Sequence, residues 1–192
     1  MTEVDRWILG LPTWPLIRSL GLASFGLLAL CVISGMVSSM PMLKPSVKAV
    51  LYNYHTVMSV YGFAFGLLHG MLLAIDRYMP FRWAEIFVPF ADRHFRLADG
   101  LGTLAVYIWL AVLWTSDFRH RLTRRVWRMV HVSSYAMFAF ALVHGLLVGT
   151  DSRFPAAKWF YGATAFIVLA LGLVRTALVV RKKRCRIVDF HA

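Results

Sequence analysis

Long stretches of the chain carry no charged side chain. Residues 19–43, 49–75, 100–116 and 129–150 contain no Asp, Glu, Lys or Arg, and residues 159–180 contain Arg175 alone. An α-helix rises about 1.5 Å per residue, so about 20 apolar residues cross the hydrocarbon core of a bilayer. Four of the runs are long enough. The third, 100–116, is short but extends at both ends and is rich in Leu, Trp and Tyr. Backbone polar groups find no partner in lipid, so runs of this kind predict helices. The pattern predicts an all-α integral membrane bundle of five transmembrane helices. Residues 7–17, WILGLPTWPLI, are too short to span, and their two Trp and two Pro predict a segment lying in the interface. The expected organisation is an interfacial segment at 1–18, a membrane domain at 19–180 and a basic tail at 181–192.

Composition narrows the class. The chain is 59% hydrophobic and 16% charged, whereas soluble domains average about 25% charged residues. Such hydrophobicity also excludes disorder. Cys31 and Cys185 are the only cysteines, and Cys31 lies inside an apolar run, so no disulfide scaffold is expected. The net charge of +12 does not point to nucleic acid, because the basic residues sit between apolar runs, as they do beside a membrane. Glu3 and Asp5 argue against a cleaved leader.

Five spans place the termini on opposite sides. Of the 21 Lys and Arg, eight fall with the N-terminus and the 76–99 and 151–158 loops. Twelve fall with the 44–48 and 117–128 loops and the C-terminus. The dense clusters at 119–128 and 181–186 flank helix ends, and positive residues favour the cytoplasmic face. The expected orientation is N-terminus outside and C-terminus cytoplasmic, in the cytoplasmic membrane. The clusters also suit docking of an acidic partner.

Ionisable residues inside spans are costly and mark function. Of seven His, His94, His120 and His191 fall in loops or the tail. His55 and His69 lie in the second predicted helix, His131 and His144 in the fourth. The spacings, 14 and 13 residues, separate each pair by roughly 20 Å along its helix. One helix intervenes, so the second and fourth run parallel. His55 then lies at the level of His131, and His69 at the level of His144. Two levels of two histidines are the arrangement for two bis-His haems stacked across a membrane. Imidazole is a good axial ligand for haem iron, and two imidazoles leave no open position, which favours electron transfer.

Residues 63–70, FAFGLLHG, and 138–145, FAFALVHG, agree at six of eight positions, and Asp76 and Asp151 each follow the histidine by seven residues. The similarity reads as an internal repeat. Gly70 and Gly145 suit either a porphyrin lying close to the helix or helix–helix packing. One feature of the spacing conflicts with an ideal helix. At about 100° per residue, 14 residues return to within about 40° of the same face, but 13 leave the side chain about 140° away. A tilt, a kink near Gly145 or haems on different flanks would reconcile this.

At these residues the sequence resembles the ferric reductase-like transmembrane domain shared by ferric reductases, NADPH oxidases and many bacterial b-type cytochromes. The resemblance rests on His55/His69 and His131/His144 with their unequal spacings, on TSDFRHRLTRRVWRMVH at 115–131 and on HGLLVGTD at 144–151, and covers roughly residues 15–180. It implies a dihaem b-type cytochrome carrying electrons outward, with His55 and His131 on the inner haem iron and His69 and His144 on the outer. The oxidases and ferric reductases have a sixth helix and a flavin and nicotinamide domain. This chain shows no G-x-G-x-x-G turn, so the expected donor is a separate flavoprotein or quinol.

Haem propionates need cationic or hydrogen-bonding partners. The outer candidates are Arg18 and Arg77, with Arg153 next. Arg128, one turn before His131, is the inner candidate, and Arg175 either reaches an inner propionate or extends to the cytoplasm. Phe63, Phe65, Phe138 and Phe140 line a path between haems or simply pack. Two other functions fit the sequence. One is the haem-binding membrane subunit of a periplasmic methionine sulfoxide reductase-type system. The other is a proton or metal-ion pathway through the histidines without haem.

Overall fold

The computed structural model describes residues 12–76, 79–92 and 95–188, the side chains of 179 and 182–188 aside. Within them there is no strand. Helix α1 spans Thr13–Ser38, α2 Pro45–Leu72, α3 Trp83–Phe87, α4 Arg96–Asp117, α5 Arg124–Val132, α6 Ser134–Leu147 and α7 Pro155–Val188. Single 3₁₀ turns, Arg119–Arg121 and Thr150–Arg153, precede α5 and α7.

Prolines set several starts. Pro15 lies in the first turn of α1 and Pro45 opens α2, where a missing N–H costs nothing. α1 therefore begins at Thr13, and residues 13–18, expected to lie in the interface, are its first turns. At its end the Ser38 and Ser39 hydroxyls donate to the carbonyls of Gly35 (2.9 Å) and Met36 (2.6 Å), partners for groups a helix end leaves open. α7 runs on through the basic segment to Val188.

Four helical stretches are long and apolar enough to cross a membrane: α1, α4, Arg124–Leu147 (α5 with α6) and Pro155–Leu178 of α7. α2 is 28 residues long but is not among these stretches, its hydropathy lowered by Tyr52, Asn53, Tyr54, His55 and His69. The polarity that makes α2 a candidate site lowers its hydropathy as a span.

The core is small and lies on one side of α1. Phe25, Leu28, Ala29 and Val32 of α1 meet Ala105 and Trp109 of α4, Met137 and Phe138 of α6, and Tyr161 and Val168 of α7. Phe25 packs its ring on Phe138 at 5.6 Å and on Tyr161 at 4.8 Å. Large apolar residues point outward: Trp159 is 78% exposed and Leu173 74%. An outer surface this greasy suits lipid rather than water. The chain is an integral membrane protein built as an all-α bundle.

The repeated aspartates share one task. Asp76 is buried and accepts from Thr13 Oγ1 at 2.5 Å. Asp151 accepts from the Arg18 guanidinium, Nε at 3.1 Å and Nη2 closer still. The segments following α2 and α6 thus both grip the start of α1. The short α3 is tied to α4 by two hydroxyls, Thr103 Oγ1 donating to the Ile86 carbonyl (3.1 Å) and Tyr107 to that of Phe87.

Candidate functional site

α2 and the α5–α6 segment present four imidazoles to one another in two pairs. The rings of His55 and His131 have centroids 6.0 Å apart, and those of His69 and His144 6.2 Å. A metal–imidazole nitrogen bond is about 2 Å long, which puts two imidazoles on opposite faces of one metal with centroids roughly 6 Å apart. Among the described residues no group of three or more His, Cys, Asp or Glu could hold a bare metal ion. A haem iron asks only two of the protein, since the porphyrin supplies the other four nitrogens.

The ring orientations have a common cause. His69 Nδ1 lies 2.8 Å from the Ile17 carbonyl, His55 Nδ1 2.8 Å from that of Cys31, and His144 Nδ1 2.9 Å from that of Ala98. A carbonyl can only accept, so each Nδ1 carries the proton and Nε2 keeps the lone pair a metal needs. Four residues after each carbonyl stands a glycine. A Cβ on Gly21 would lie 3.0 Å from His69, one on Gly35 2.9 Å from His55, and one on Gly102 2.8 Å from His144. Each ring rests where a side chain is missing. α1 and α2 run antiparallel in a register that matches Gly21 to His69 and Gly35 to His55. The 14-residue spacing of the histidines recurs in the glycines.

The fourth histidine departs from this pattern. His131 Nδ1 is buried and has no hydrogen-bond partner. Its ring stacks on Trp127, centroids 5.0 Å apart and planes 25° apart, and Trp127 Nε1 is likewise buried without a partner. On α4 the residues 13 and 14 positions beyond Gly102 are Thr115 and Ser116, not glycine. Thr115 donates to the carbonyls of Ala111 (2.7 Å) and Val112 (3.3 Å) in its own helix.

The unequal spacing coincides with an irregularity in the helix ladder. The helix is interrupted at Ser133, between α5 and α6, where the backbone N–H reaches the carbonyls of both Val130 and His131 and the hydroxyl donates to Val130 at 2.6 Å. The interruption lies between His131 and His144, so the two need not share the phase of one ideal helix. No kink is needed at Gly145, whose missing side chain instead admits Tyr161: a Cβ there would lie 2.7 Å from the phenol oxygen. Gly70 meets only Ile86, at an ordinary 3.7 Å.

A cavity of about 390 Å³ opens at the level of His69 and His144, lined by both rings and by Gly21, Gly66, Gly70 and Gly102. Its lining is mainly apolar, with Glu85 and Asp99 as acids. Asp99 Oδ1 stands 3.8 Å from His144 Nδ1, and its Oδ2 is buried without a partner. Midway between the levels lies Trp109. Gly62 is seven residues from each histidine of α2, and a Cβ there would lie 2.8 Å from the indole. Trp109 donates to Ser59 Oγ at 3.1 Å and packs against Phe63 at 6.2 Å. A cavity, glycine cradles and lone pairs facing inward fit a planar macrocycle between imidazoles at the outer level. The orphaned indole N–H of Trp127 fits a missing acceptor at the inner one.

The remaining sequence candidates are placed as follows. Arg18 is engaged by Asp151, Arg128 and Arg153 are exposed, and Arg77 lies outside the described residues. Arg175 does not extend freely: its Nη1 donates to Tyr135 OH at 3.1 Å. Phe138 is buried in the core, and Phe65 and Phe140 are half-buried. Trp109, Trp127, Asp99 and the three cradle glycines were not singled out as site residues by sequence. Only contact between helices distant in the chain gives them their place.

No curated protein matches the chain significantly. A family model described as ferric reductase like transmembrane component matches residues 20–142. The matched region contains His55, His69 and His131 and ends two residues short of His144. The match covers well over half of the chain and runs through the helices that pair the imidazoles, so the chain belongs to the ferric reductase-like transmembrane family and is a transmembrane electron-transfer component.

Proposed function

We propose that the chain is a dihaem b-type cytochrome that passes electrons outward across the cytoplasmic membrane. In this reading α2 is the fifth span, His55 and His131 hold an inner haem, and His69 and His144 hold an outer one. The observation that carries it is the pair of facing imidazoles at each of two levels, about 6 Å between centroids at both. Membrane domains of this family generally bind haem. When bound, each haem would supply a one-electron couple, held by its pair of histidines.

The residues divide the remaining work. The carbonyls of Ile17, Cys31 and Ala98 hold three Nδ1 protons and aim the lone pairs. Asp99 Oδ1, 3.8 Å from His144 Nδ1, stands as a second polar neighbour of the ring that the Ala98 carbonyl holds. Trp109 occupies the gap between levels with an aromatic ring. Arg18 serves first as the partner of Asp151; an outer propionate would share its guanidinium or use Arg77. The basic stretch 119–128 faces the cytoplasm, where a separate flavoprotein, or a quinol in the membrane, delivers electrons; the acceptor lies outside.

The test is a dithionite-reduced minus oxidised spectrum of the purified protein with a pyridine haemochrome count. Two haems per chain with low-spin bands are expected. A colourless protein, after expression with ample haem, would sink the proposal and favour a histidine pathway for protons or metal ions.

A further inference from the structure

Two ring nitrogens on α5 are buried and unpartnered, Trp127 Nε1 and His131 Nδ1. Buried indole N–H groups nearly always have an acceptor, and an indole nitrogen can only donate. The acceptor of Trp127 therefore belongs to something other than the polypeptide described. Its place is informative. Trp127 stands one helical turn before His131, with its ring stacked on that imidazole. One turn on the other side of His131 is Tyr135, whose phenol oxygen holds the Arg175 guanidinium at 3.1 Å. Arg175 is the one charged residue of the run 159–180, and it is tethered at this level with most of its N–H groups uncommitted. A neutral donor and a cation thus flank the same imidazole.

We infer that Trp127 Nε1–H donates to a propionate carboxylate of the inner haem, with Arg175 supplying the compensating charge. The inference rests on the haem reading above. An anionic acceptor suits the pair better than water alone, because a charge-assisted hydrogen bond and a nearby guanidinium both favour a carboxylate. Arg128 and Arg175 are both exposed, whereas the Trp127 nitrogen is buried against the ligand itself, so the buried contact falls to Trp127 and Arg175, held by Tyr135, supplies charge alone. Trp127 is a positioning residue here: it acts on the iron through the macrocycle and its ligand.

The experiment uses the purified full chain with haem bound, comparing wild type, Trp127→Phe and Trp127→His. The readouts are the haem count, the propionate bending band in resonance Raman spectra and a redox titration. The inner component is identified as the one that His55→Ala removes. Trp127→Phe is expected to keep two haems, shift the propionate band and lower the inner midpoint potential, because losing the donor leaves more negative charge on the carboxylate. The outer potential stays put, and Trp127→His, which restores an N–H, returns the band toward its wild-type position. An unshifted band and unchanged inner potential in Trp127→Phe would overturn the inference. If Trp127→Phe fails to fold, Trp127→His decides: a wild-type band supports the inference and a shifted one overturns it. A wild-type chain without haem would overturn the haem reading itself, which the count shows before any variant is compared.

Discussion

A single backbone carbonyl decides which nitrogen of His55, His69 and His144 carries the proton, and a glycine four residues later makes room for the ring. That the four histidines face one another in pairs was legible in the sequence, from ionisable groups at matched depths in apolar helices. Their supports were not, because Gly21, Gly35 and Gly102 look like ordinary small residues until α1 is laid against α2 and α4 against α6. Removing a ligand should act by level: His69→Ala or His144→Ala should delete the outer haem, and His55→Ala or His131→Ala the inner. Haemochrome counts falling from two to one, with different redox components lost, would check this. Filling a cradle should do the same without touching a ligand. A Cβ at 102 already meets His144 Nδ1 at 2.8 Å, so Gly102→Val pushes the ring off the Ala98 carbonyl. The expected result is an outer haem lost or made high-spin, read in the visible spectrum.

The break at Ser133 matters at the scale of an element. The sequence showed that 13 residues cannot bring two side chains to one face of an ideal helix, but not where the helix would yield. Ser133 is neither Pro nor Gly, and its interruption comes from a hydroxyl and an N–H competing for the carbonyls one turn back. The glycine suspected of kinking the helix, Gly145, is instead the seat of Tyr161. Inserting one alanine between Ser133 and Ser134 would restore a 14-residue spacing yet turn α6 by about 100° against α5. If the break sets the phase, the insertion costs one haem per chain. A variant that kept both would show that the helix re-forms its register elsewhere. The polar face of α2 had the opposite fate. Its lack of charge reads as a span, while its Tyr, Asn and His residues keep it out of the stretches apolar enough to cross.

For the molecule as a whole, the two aspartates that follow the histidine helices converge on the start of α1. Their matching positions were visible as a repeat, but their partners, Thr13 and Arg18, were not, because Thr13 was expected in an interfacial segment rather than in the helix. Thr13→Val leaves buried Asp76 short of a donor and should cost about 1–3 kcal/mol, seen as earlier thermal unfolding in detergent with the haem spectrum of the folded protein unchanged. A reporter that is active only in the cytoplasm should work when fused after residue 192 and fail when fused before residue 1, as the basic clusters require. α1 also carries both carbonyls and both glycines that seat the histidines of α2, in one unbroken helix. Like a key with two teeth, it cannot be half inserted: a slide by one turn unseats both levels at once. A substitution that shifts the register of α1 should therefore empty both levels together, whereas the loss of one ligand empties only its own.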